Sequence, residues 1–189
     1  MSGSIKIRIA VAVVIISVTL VSGKAIAASV DMELVQAAWD GNVEKATLAL
    51  NNGANPNAVV PVSGWTPLLS ASWRGDSQIV KALLDSGAQV NAQDPIGWTP
   101  LMAAAKMGRQ DVVKFLLKAG ANVDAQTTRN ATALMFACEE GHLEVAALLL
   151  NNGAKINVKT VSGLTALSLA EKNGNPDVVS LLLNSGATQ

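Results

Sequence analysis

Glycine returns every 33 residues through most of this chain. Gly75, Gly108, Gly141 and Gly174 form one set, and Gly87, Gly120, Gly153 and Gly186 form another. Each member of the second set is followed by alanine, at Ala88, Ala121, Ala154 and Ala187. Thr66, Thr99, Thr132 and Thr165 keep the same interval, and Gly41 and Gly53 carry both glycine sets backwards with one extra residue before Trp65. Three sets in phase mean that one small unit is repeated. A unit of this size cannot enclose its own apolar face, so neighbours must stack on it in a linear array.

Residues 97–124 show what one unit contains. Thr99 can cap a helix with its hydroxyl, and Pro100 suits the first helical position, where an N–H has no partner anyway. Leu101, Ala104 and Ala105 give that helix a small-residue face that admits close neighbours, and Gly108 ends it through a left-handed conformation. Val112, Val113, Leu116 and Leu117 form the apolar stripe of a second helix, which Gly120 ends. The stretch 121–130 is a loop that can form a hairpin. Polar residues break the pattern once at each end: Lys45 stands where later units have Ile79, Val112, Val145 and Val178, and Glu171 where earlier units have Ala38, Ser72, Ala105 and Cys138. Terminal units need such polar positions. Leu181, Leu182 and Leu183 leave the last helix rather apolar.

The segments WTPLL, WTPLM, ATALM and LTALS, with EGHLEVAALLLNNGAKIN at residues 140–157, resemble the ankyrin repeat. The resemblance implies an all-α solenoid of helix-turn-helix units with short β-hairpin loops over residues 28–189. An N-terminal half repeat spans 31–54, and full repeats span about 61–93, 94–126, 127–159 and 160–189. The histidine that the family carries after Thr-Pro-Leu is replaced by Leu69, Met102, Met135 and Ser168. Its hydrogen bonds between repeats should be absent, with apolar packing partly in their place.

The first residues have a different character. Lys6 and Arg8 precede an uncharged apolar run at residues 9–21, and Ala25 and Ala27 follow in an A-x-A pattern. This is the layout of a secretory leader cleaved after Ala27, and the run is short for the ~20 residues of a spanning helix. Residues 1–27 are therefore read as a signal peptide, and the periplasm or the extracellular space as the destination. Removing Lys6, Arg8 and Lys24 from 14 basic and 14 acidic residues leaves a net charge near −3. That balance argues against nonspecific binding to nucleic acid or to an anionic membrane, which needs a basic face. With Cys138 as the single cysteine, no internal disulfide can form, and stability must come from packing.

The chain has four tryptophans, two phenylalanines and no tyrosine. In the framework that the resemblance implies, the residue before the capping threonine and the two residues before the inner-helix glycine face a concave groove, flanked by the hairpin tips. Trp65 and Trp98 hold the first position, and Trp39 and Trp73 the second, so all four fall on the groove and none serves the repeat core. The same register places Val62, Arg74, Pro95, Ile96, Lys106 and Met107 around them. Tryptophan, arginine and methionine are enriched at protein interfaces. Trp39, Trp65, Trp73, Arg74, Pro95, Ile96, Trp98, Lys106 and Met107 are accordingly the candidate partner-binding residues. Further along, Thr128, Arg129, Glu139, Glu140, Lys172 and Asn173 make the groove charged, either to orient a partner or as a solvated face.

Catalytic chemistry finds little support. His142 is alone, whereas a zinc site wants three or four ligands at set spacings. Cys138 occupies a small-residue core position, and Asn130 replaces glycines at 64, 97 and 163, where asparagine can adopt positive φ. The repeat pattern supplies no cofactor, metal or phosphate-binding site. The function implied is non-catalytic: an adaptor or inhibitor of the small exported bacterial type, holding a protein partner in its groove. The alternative is a weakly self-associating structural or protective protein that supports a periplasmic stress-response enzyme.

Overall fold

The computed structural model of the protein describes residues 22–188. Its helices are α1 (Ser22–Asp40), α2 (Val43–Asn51), α3 (Pro67–Arg74), α4 (Ser77–Asp85), α5 (Pro100–Lys106), α6 (Gln110–Lys118), α7 (Ala133–Glu139), α8 (Leu143–Asn151), α9 (Ala166–Lys172) and α10 (Pro176–Asn184). Each odd-numbered helix turns back into the following even-numbered one. The odd-numbered helices stack on one another as an inner row, and the even-numbered helices form an outer row. Four full units thus follow a first, loop-less helix pair.

The local sequence explains where each inner helix begins. The hydroxyls of Thr66, Thr99, Thr132 and Thr165 accept from the backbone N–H of Leu69, Met102, Met135 and Ser168 at 3.1–3.4 Å. Pro67 and Pro100 occupy the first turn behind their caps. Helices α2 to α10 have only seven to nine residues. In water helices this short are marginal alone, so tertiary stacking must hold them. Leu68, Leu83, Leu101, Leu116, Leu134, Leu149 and Leu167 are fully buried and run through the array as a continuous core. Of the expected stripe on α6, Val112, Val113 and Leu116 are buried, and Leu117 packs at its edge. Leu69, Met102 and Met135 are also buried, so apolar side chains fill the positions the family gives to histidine. Lys45 and Glu171 are exposed at the two ends.

Polar links between units come instead from asparagine and aspartate at the base of each loop. Asn57, Asn91 and Asn157 each donate to a glycine carbonyl of the next unit, at Gly87, Gly120 and Gly186. Their side-chain oxygens accept from Gln89, Asn122 and Thr188, and Asp124 accepts from the Lys155 N–H at 2.8 Å. A second ladder follows the inner-helix glycines. Arg109 Nε donates to the Trp73 carbonyl, His142 Nε2 lies 3.1 Å from the Lys106 carbonyl oxygen, and Asn175 Nδ2 donates to the carbonyls of Cys138 and Glu139.

The loops turn back as short hairpins without regular strands. Each turns back through two backbone bonds: the N–H of Val60, Asp94, Thr127 and Thr160 donates to Trp65, Trp98, Ala131 and Leu164, and the N–H of Gly64, Gly97, Asn130 and Gly163 donates back to Val60, Asp94, Thr127 and Thr160. Among the described residues no strand forms. After these two bonds the turn is complete, with Asn130 at φ 58° as expected, and the flanking chain enters the helices before a ladder can extend. Successive tips are laced instead: Thr128 N–H donates to Ile96 and Val161 N–H to Arg129. Pro95 occupies the matching place one unit earlier. It has no N–H to donate, and among the described residues no backbone bond joins tip 61–64 to tip 94–97.

Most of the expected leader, residues 1–21, lies outside the described residues, and the backbone of residues 22–27 continues into α1. Among the described residues, no helix is long and apolar enough to cross a membrane.

Candidate functional site

Trp39 and Trp73 each sit one residue before the end of an inner helix, in adjacent units. Trp65 and Trp98 each precede a capping threonine, again in adjacent units. The stacking of units brings the two sets together as one aromatic ladder. Ring centroids are 5.8 Å apart for Trp39–Trp65, 5.8 Å for Trp65–Trp73 and 6.0 Å for Trp73–Trp98. Interplanar angles of 51–63° put these pairs in tilted or edge-on geometry, which the ring quadrupoles favour. Phe136 in α7 extends the run, 4.7 Å from Trp98. Each such pair is worth roughly 0.5–1.5 kcal/mol beyond its area burial, so the ladder ties four successive units together.

Exposure along the ladder is uneven. Trp39, at its N-terminal end, is 44% exposed, whereas Trp65, Trp73 and Trp98 are half-buried. Trp98 also packs against the buried core. The expectation that no tryptophan serves the core therefore fails for Trp98, because its indole spans the junction between the ladder and the third unit.

Beside the open end lies a hollow of about 290 Å³ lined by Trp39, Trp73, Arg74 and Arg109. Arg74 pairs with Asp76, Nε to Oδ2 at 2.9 Å. Arg109 was not among the expected site residues. Its place in the repeat is held by Asp76, His142 and Asn175 elsewhere, which marks it as an outer-helix cap and hides its reach into the groove. Phe136 was missed for a similar reason, since its place holds Ser70, Ala103 and Leu169 in other units.

The remaining expected residues are placed as follows. Pro95 and Ile96 lie exposed at a loop tip, outside the ladder and the hollow, and Met107 caps α5 half-buried. Lys106 is drawn away from a free groove. Its ammonium pairs with Glu140 and, at 3.3 Å, with Glu139 of the next unit, and stands 5.6 Å from the Phe136 ring centroid. Burial opposes its charge, but the Glu140 hydrogen bond and the neighbouring Glu139 carboxylate outweigh burial and raise its pKa. Glu139 and Glu140 are thus engaged in an ion-pair network across a unit boundary.

Neither lone reactive residue has the setting for chemistry. His142 bridges units through the Lys106 carbonyl. Cys138 is fully buried, and burial pushes its thiol up to about 12. At pH 8 the native protein is expected to leave an aromatic disulfide reagent unreacted, and to consume one equivalent once unfolded in guanidinium; prompt reaction of the folded protein would contradict this burial. Among the described residues no cluster of three or more histidine, cysteine or acidic side chains is arranged to hold a metal.

The family model for ankyrin repeats in three copies matches residues 34–127 and 120–189. No curated protein matches the chain.

Proposed function

The chain belongs to the ankyrin-repeat family, whose arrays are generally protein–protein interaction modules, and on that premise we propose that it is a non-catalytic adaptor or inhibitor holding a protein partner in the N-terminal half of its groove. The observation that carries this reading is the aromatic ladder, which ends in an open tryptophan beside a hollow. A few large aromatic and arginine side chains supply most of the affinity at such interfaces. Trp39 is the exposed anchor, and Trp65, Trp73 and Trp98 form the rigid floor behind it. Ile96, with over half its surface open to solvent, and Pro95 add an exposed apolar loop tip in the third unit. The leader-like residues 1–27 support export, so the partner is sought in the periplasm or the secreted fraction.

Trp39→Ala tests the reading with the least damage to the fold. Loss of a hot-spot anchor costs about 2 kcal/mol, or roughly thirtyfold in affinity. A partner captured from the exported fraction by the wild type is expected to be lost by this variant while circular dichroism stays unchanged. Equal capture by both proteins refutes the anchor role. Sedimentation over a range of concentrations separates partner binding from self-association.

A further inference from the structure

The hollow beside Trp39 lends a specific chemistry to the groove reading, on which this inference rests. We propose that it receives an aspartate or glutamate side chain of the partner polypeptide, seated against Trp39 and Trp73 and bound by Arg109.

The two guanidiniums in the hollow are not equivalent. Arg74 is already neutralised by Asp76. Among the described residues, no carboxylate lies within ion-pair distance of Arg109. Its Nε donates to the Trp73 carbonyl, which anchors one edge of the planar fork and leaves the terminal N–H groups for another acceptor. Its stem is held as well. A Cβ added at Gly75 would lie 2.6 Å from Arg109 Cδ and 3.1 Å from Cγ, so the side chain rests directly on that glycine. A half-buried guanidinium fixed at both stem and edge has lost part of its rotamer freedom before any partner arrives, and therefore loses less on binding.

Charge selects the occupant. Of the two cations that line the hollow, Arg109 is the one without a carboxylate partner among the described residues. Further along, the Lys106 ammonium is already taken by Glu139 and Glu140. An acidic side chain is therefore drawn to Arg109 rather than to the paired cations at Arg74 and Lys106. Size points the same way. At about 290 Å³ the hollow is at the lower limit of small-molecule clefts, which start near 300 Å³, and suits one side chain of a larger partner. The tryptophan walls call for an apolar residue next to the acidic one.

The test is selection of random heptapeptides, fused at both ends so that no free carboxyl terminus competes, on the purified protein. Enriched sequences are expected to carry Asp or Glu beside an apolar residue. Synthetic copies are expected to bind roughly tenfold more tightly than their Asn or Gln twins, the effect of one charge-assisted contact. The advantage should vanish in Arg109→Gln and shrink near 1 M salt, where the screening length falls to about 3 Å. The twin-peptide and salt comparisons need only the wild type and stand even if the variant folds poorly. Enriched peptides without acidic preference that still depend on Trp39 overturn the carboxylate seat and leave the groove reading intact. Absence of any enrichment overturns both.

Discussion

Replacing Trp98 with alanine is expected to lower the unfolding free energy by about 3 kcal/mol, against about 1 kcal/mol for Trp39→Ala. The indole of Trp98 touches Trp73 on one side and Phe136 on the other, and packs on the core beneath. Its removal opens a void at two unit boundaries together. Trp39 has one ladder neighbour, Trp65, and nearly half its surface in water. Urea unfolding followed by circular dichroism measures both. In a repeat array, stability is a sum of unit terms and nearest-neighbour interface terms, so the Trp98 variant is also expected to unfold over a broader range. Equal losses for the two variants would show that the ladder contributes nothing to coupling and that its tryptophans serve only as a surface.

Gly108→Ala carries the second large effect, about 3 kcal/mol, where Gly120→Ala costs about 1 kcal/mol. Both glycines have positive φ, at 65° and 86°, so both variants bear the left-handed penalty. They differ in what the new methyl meets. At Gly108 it would come within 2.7 Å of the His142 ring, whereas at Gly120 nothing lies within 4 Å. His142 cannot retreat without giving up its bond to the Lys106 carbonyl. Combining Gly108→Ala with His142→Ala should therefore cost less than the two single losses added together. Strict additivity in that cycle would refute the contact.

The repeat was legible because its signals recur in every unit. The threonine caps, the glycine ends and the small-residue inner helices occur several times each, and all are found where the spacing puts them. Placing four tryptophans on one surface was legible for the same reason, since each occupies a recurring position. What escaped was specific to single units. Arg109 and Phe136 sit at positions that hold other residues elsewhere, so no period reveals them, and their partners lie 36 and 38 residues away along the chain. The pairing of Lys106 with Glu139 and Glu140 belongs to the same class. The asparagine ladder had a visible signal in Asn57, Asn91, Asp124 and Asn157. Polar residues at the base of a loop look like ordinary turn formers until the next unit is laid beside them.

The missing tip-to-tip bond at Pro95 gives the array a mechanical grain. From the third unit onward the rim is stitched by backbone bonds, so twisting one unit against the next must stretch them. Between the second and third units the rim carries no such stitch, and among the links that remain are those of Asn91 to Gly120 and Asn122, of Arg109 to the Trp73 carbonyl, and the Trp73–Trp98 contact. That seam has one restraint fewer than the two that follow it. Trp73 and Arg74 line the hollow from one side of it and Arg109 from the other, so a twist at this seam changes the shape of the hollow.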